Sequence, residues 1–169
     1  MPLLPLFVQT LVSSEVRTAS LVGFILGLTA AGNAVGAVLL GRASDRVGYR
    51  IILLACASGL ALVYIPQFFV ATPLQLLILQ AAAGVAMGGS LATIGALLAN
   101  LSPEGQEGIV FGLDASAAAV ANALAPLPAV AVAMKLGLRA PFLLAAGVYG
   151  LAAVMVVCRV PGAQRERPS

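Results

Sequence analysis

The ten residues Gly41-Arg42-Ala43-Ser44-Asp45-Arg46-Val47-Gly48-Tyr49-Arg50 hold three of the chain's nine basic residues and one of its six acids. Upstream, residues 19–41 carry no charged side chain, and downstream residues 51–103 run for 53 positions without one. A charged knot this short between such apolar runs reads as the interfacial connection (42–50) between two membrane-crossing helices. Gly41 and Gly48 are the positions that allow the chain a tight reversal there.

Composition agrees along the whole chain. Of 169 residues, 61% are hydrophobic and 9% charged, where soluble domains carry roughly 25% charged. Mean hydropathy is +1.07. A water-soluble enzyme, a chain disordered as a whole and a disulfide scaffold are excluded. The sequence has no His, and Cys56 and Cys158 lie far apart, so no metal site or cofactor is expected. The net charge of +3 does not indicate nucleic acid, because the basic residues sit between apolar runs and aromatics are only 5%. No nucleophile–base pair is evident, so no enzymatic activity is expected.

The expected architecture is an all-α, polytopic membrane protein. Residues 1–12 are apolar but reach only about 18 Å as helix, against a hydrocarbon core of about 30 Å, and read as a truncated first span. Five complete spans follow at about 19–41, 51–71, 74–100, 108–134 and 140–158. The turn at Ala71-Thr72-Pro73 separates two of them, since the residue before proline avoids the helical region. Ser102-Pro103-Glu104 has the residues of a helix start. Residues 160–169 read as a disordered tail. Connections alternate sides. Arg42, Arg46, Arg50, Arg159, Arg165 and Arg167 fall on one side, and Arg17, Lys135 and Arg139 on the other. Six against three places the 42–50 connection and the C-terminus in the cytoplasm.

Small residues offer close helix contacts: Gly23 with Gly27 and Gly32 with Gly36 in the second span, and Gly84 with Gly88 in the fourth. Tyr64, Gln67 and Phe68, near one end of the third span, suit either an interfacial anchor or contact with an amphipathic substrate.

The 41–50 stretch closely resembles the Gly-x-x-x-Asp-Arg-x-Gly-x-Arg loop of the major facilitator superfamily, which joins the second and third helices of a six-helix half. Leu4-Pro5-Leu6-Phe7-Val8 with Gln9 is similar to the outer end of a half's first helix. Leu76-Leu77-Ile78-Leu79-Gln80 with Gly84 matches the fourth helix, where many relatives have Arg in place of Gln80. Glu107-Gly108, Phe111-Gly112-Leu113-Asp114 and Ala125-Pro126 resemble the fifth helix of drug-efflux members. Those relatives favour a Gly-Pro step followed by a Gly pair, which Ala125-Pro126-Leu127-Pro128-Ala129 replaces here.

The resemblance covers essentially the whole chain and implies the C-terminal six-helix half of a twelve-helix transporter. Substrate would bind between two halves. The implied function is efflux of small amphipathic drugs or metabolites by alternating access with proton antiport. The implied partners are a small-molecule substrate, protons, the lipid bilayer and a missing N-terminal half or a second copy; no nucleic acid is implied. The implied location is the bacterial inner membrane. The alternative is a non-transporting small membrane protein, or a truncated remnant, that assembles with another membrane protein.

Within that frame Gly41, Arg42, Asp45, Arg46, Gly48 and Arg50 form a candidate conformational latch: an acid able to accept hydrogen bonds and arginines able to reach carboxylates or carbonyls. The other reading is that the arginines only fix topology. Asp114 is the one acid well inside a span, and so a candidate for proton coupling; the other reading is an interfacial acid near a helix start. Thr29, Asn33, Gln80 and Asn122 are candidates for a polar cavity wall, or else for hydrogen bonds between helices.

Overall fold

The structure, a computed structural model, describes residues 15–70, 72–137 and 139–159. Among them are six helices: α1 (Glu15–Val47), α2 (Tyr49–Gln67), α3 (Pro73–Leu101), α4 (Glu107–Leu124), α5 (Pro126–Leu136) and α6 (Ala140–Arg159). Counting α4 and α5 as one continuous crossing, five stretches are long and apolar enough to span a membrane. The first span (1–12) and the tail (160–169) of the sequence reading lie outside the described residues.

Helix α1 has 33 residues, about 50 Å of helix against a core of about 30 Å. It therefore overruns the bilayer and carries its charged end beyond it. The expected loop at 42–50 is corrected here: the chain stays helical through Arg42, Asp45 and Arg46 as far as Val47. Gly41 does not break it, and the Ser44 hydroxyl donates back to the Gly41 carbonyl at 2.6 Å. The reversal falls on Gly48 alone, whose φ of 106° is open to glycine and costly for other residues. Helix α2 resumes at the next residue.

Helix α2 ends at Gln67, short of the expected 71. Phe68, Phe69 and Val70 donate backbone N–H groups to the carbonyls of Ile65, Pro66 and Gln67, the tightened last turn that satisfies terminal carbonyls. Helix α3 starts with an extended Thr72 whose side chain accepts from Gln75 N, followed by Pro73 in the first turn. Ser102 does not cap α4. Its hydroxyl donates to the Leu98 carbonyl at 2.6 Å, closing α3. Pro103 and Gly105 (φ 78°) then form a turn, and α4 begins at Glu107 behind an uncapped Gln106. The fifth crossing divides at Ala125. Pro126 and Pro128 have no N–H for the carbonyls of Asn122 and Leu124, so the regular ladder is interrupted.

Two helix pairs make the bundle. Helices α1 and α3 run parallel: Thr29 faces Gly84, Asn33 faces Gly88, and Gly41 faces Ala92. Helices α2 and α6 run antiparallel, with Tyr64 stacked on Tyr149 at 5.6 Å between ring centres. Helix α3 also packs on α2, which joins the pairs. The core lies where the four meet: Ile25, Leu60, Tyr64, Leu76, Ala83, Phe142 and Ala146. Neither α4 nor α5 contributes a buried residue. Large apolar side chains such as Leu62, Leu113 and Met134 are exposed around the bundle, as lipid or a protein partner requires and water does not tolerate.

Candidate functional site

The charged corner is held by a short polar chain. Asp45 and Tyr49 are four residues apart across the Gly48 reversal, and the Tyr49 hydroxyl donates to Asp45 Oδ1 at 3.4 Å. Asn100, near the end of α3, donates from Nδ2 to the Tyr49 hydroxyl at 2.7 Å and to the Ala96 carbonyl at 2.9 Å. The α1–α2 corner is thereby tied to the end of α3. Beneath it Ser44 is fully buried. Arg50 leaves the cluster and donates from Nη2 to the Val157 carbonyl of α6 at 2.6 Å. Arg42 and Arg46 are exposed one helical turn apart on α1, with no ion pair among the described residues. The six latch candidates thus separate into a hinge (Gly48), an internally bonded acid (Asp45), two outward cations (Arg42 and Arg46), a helix-end ligand (Arg50) and a glycine inside α1 (Gly41). Sequence reasoning missed Tyr49 and Asn100. Tyr49 filled a variable place in the motif, and Asn100 closed an apolar run.

The cavity-wall candidates do not share one wall. Thr29 donates its hydroxyl to the Ile25 carbonyl at 2.7 Å, and with Asn33 it lies in the seam where α1 meets α3. Gln80 is buried in α3, and its Nε2 has no partner. Gln67, at the end of α2, is fully buried with neither amide atom bonded. Tyr64 is also buried. The interfacial-anchor reading of Tyr64 and Gln67 is therefore corrected; α6, distant in sequence, covers that face of α2.

Asp114 and Asn122 both belong to α4, where every residue except Val110 is exposed. Asp114 sits seven residues past the helix start, about 10 Å along it. Among the described residues it makes no ion pair or hydrogen bond. Helix α4 packs on little beyond its chain neighbours α3 and α5. A carboxylate and an amide on one apolar helix outside the bundle can exchange protons and hydrogen bonds with whatever covers that helix. On α1, Ser20, Gly23, Phe24, Gly27, Leu28 and Ala31 line a shallow open groove of about 480 Å³.

The sequence model of the Major Facilitator Superfamily matches residues 1–169. The chain is 33% identical over 169 residues to the multidrug resistance protein MdtG of Klebsiella pneumoniae (strain 342), covering 99% of this chain and 41% of that protein. MdtG of Escherichia coli O1:K1 / APEC is 33% identical over 147 residues, 87% of this chain and 36% of that protein. MdtG of Escherichia coli (strain K12 / DH10B) matches to the same extent. The chain spans about two fifths of the length of these curated relatives.

Proposed function

The chain belongs to the Major Facilitator Superfamily, and from that premise we propose that it forms a six-helix half of an efflux transporter for small amphipathic compounds. Substrate passes by alternating access between this half and a second one, either an N-terminal half or another copy of the chain. Proton antiport supplies the energy. Likeness to relatives named as multidrug resistance proteins supports the substrate class.

The observation that carries the reading is the placement of α4. It is the first 18 residues of the fifth crossing, outside its own bundle, and it bears Asp114, the one acid well inside an apolar run, together with Asn122. Lipid is a poor neighbour for that carboxylate, costing at least about 2.5 kcal/mol when charged at depth. A water-filled path or the facing half relieves this cost and gives the acid a proton to exchange. Arg42, Asp45 and Arg46 close the cytoplasmic side of the path in one of its two states, and Tyr49 and Asn100 hold Asp45 in position. The arginine distribution supports a topology with this corner and the C-terminus in the cytoplasm of a cell whose inner membrane holds the protein.

The test is export of a lipophilic cationic dye from cells, and its uptake into inverted vesicles carrying an imposed pH gradient. Asp114→Asn is expected to leave membrane insertion and dye binding intact and to abolish gradient-driven transport. Unimpaired transport by this variant refutes the coupling role.

A further inference from the structure

Two arginines sit where their own helices do not favour them. Arg50 is the second residue of α2, which has no acid in its first turn, and Arg139 directly precedes α6. A cation at a helix N-terminus opposes the positive end of that helix's dipole. Each arginine instead serves the neighbouring helix. Arg50 Nη2 donates to the Val157 carbonyl at 2.6 Å, in the last turn of α6. Arg139 Nη1 donates to the Phe68 carbonyl at 3.5 Å, just past the end of α2. The carbonyls of Ile65, Pro66 and Gln67 already have backbone donors, and α2 has no basic residue of its own in its last turn. Arg139 therefore supplies the cation that end lacks.

The spacing is symmetrical. Arg50 and Phe68 are 18 residues apart, and so are Arg139 and Val157. Eighteen residues are five helical turns, about 27 Å, so both contacts fall on the same face of each helix. That length is close to the hydrocarbon thickness of about 30 Å, so one contact lies near each membrane face. Between them, Tyr64 stacks on Tyr149 with ring planes 10° apart. We propose that Arg50 and Arg139 form a reciprocal clamp that locks α2 and α6 in one antiparallel register and makes the pair a single rigid strut. A slip by one residue in either direction loses both arginine contacts together.

The experiment is amide hydrogen exchange, read by mass spectrometry on the full protein in lipid nanodiscs. It compares wild type with R50Q, R139Q and R50Q/R139Q. Each single substitution is expected to speed exchange about threefold, the order expected for losing one cation from a helix C-terminus. This should occur at the ends of both α2 and α6, and the double variant should add little. The charge reversals R50E and R139E are expected to exceed the glutamine variants, and the lysine variants to restore much of the protection. Faster exchange only at the helix end facing the altered arginine, or additive effects in the double variant, overturns the clamp in favour of two independent caps. Equal effects of glutamine and glutamate overturn the dipole argument. Should R50Q fail to insert, R50K keeps the charge and loses the guanidinium fork; smaller shifts at both helix ends support the clamp, and a shift at one end refutes it.

Discussion

Alanine substitution at Gly36 and at Gly27 should move stability in opposite directions, although the two glycines lie on one helix and each is flanked by apolar residues. A Cβ at Gly36 would overlap the Val85 carbonyl oxygen and come within 2.7 Å of its carbon, against an ordinary contact of 3.4–4 Å, so α1 and α3 must part by more than about 0.7 Å. The obstacle is backbone, which cannot rotate away. A gap of 0.5–1 Å forfeits roughly a quarter to a half of each contact's attraction along the seam, and overpacking of this kind costs typically 1–3 kcal/mol. Better helix propensity returns at most about 1 kcal/mol. The net expectation for Gly36→Ala is a loss of about 2 kcal/mol. A Cβ at Gly27 meets nothing within 4 Å, so Gly27→Ala keeps the propensity gain of up to about 1 kcal/mol. At roughly 2–4 °C per kcal/mol, the two variants should differ by roughly 6–12 °C in midpoint. Thermal unfolding of the detergent-solubilised protein, followed by monodisperse size-exclusion signal, measures this. Equal midpoints would refute the claim that close α1–α3 approach controls stability. So would a Gly27→Ala variant that unfolds earlier than Gly36→Ala.

Three further outcomes are expected. Gly48→Ala forces a Cβ into φ 106° at a cost of about 1–3 kcal/mol; folded protein recovered from the membrane should fall, while Gly95→Ala, with open space around it, should not lower it. Gln67→Leu removes a fully buried amide with both polar atoms unbonded and should stabilise by about 1 kcal/mol or more, read as a higher unfolding midpoint. Tyr49→Phe deletes the link between Asp45 and Asn100 and should cost about 1 kcal/mol. If that link positions the latch, thiol labelling of a cysteine placed at Ala43 should change in rate as well.

The helical membrane fold was legible because charge is concentrated in a few short stretches and proline marks where helices cannot continue. Finer features needed the third dimension. Nothing in the sequence separates the Gly23–Gly27 pair, which faces open space, from the Gly32–Gly36 pair, which meets α3; only the rotation of α1 about its axis decides. The charged stretch at 42–47 looked like a loop because charge marks the interface, yet arginine and alanine are good helix formers, and α1 simply outlasts the bilayer. Ser102 suits the start of one helix and the end of another equally well, and its hydroxyl went to the nearer carbonyl, that of Leu98. Tyr64 and Gln67 looked like interfacial residues because the helix that buries them lies some eighty residues further along. Of the site, the motif located the corner, and Asp114 stood out as an acid in an apolar run. The bonds that organise the corner, through Tyr49 and Asn100, depend on the end of α3 arriving beside it.

The proline step in the fifth crossing also limits what can surround that crossing. Carbonyls of Asn122 and Leu124 lack the amide donors that Pro126 and Pro128 would otherwise supply. Acyl chains have no donor to lend, and each unmet carbonyl in hydrocarbon costs on the order of several kcal/mol. Residues two apart lie on nearly opposite sides of a helix, so water or protein donors are needed on more than one side of this step. Proline thus denies a purely acyl-chain surround to a helix that touches little of its own bundle.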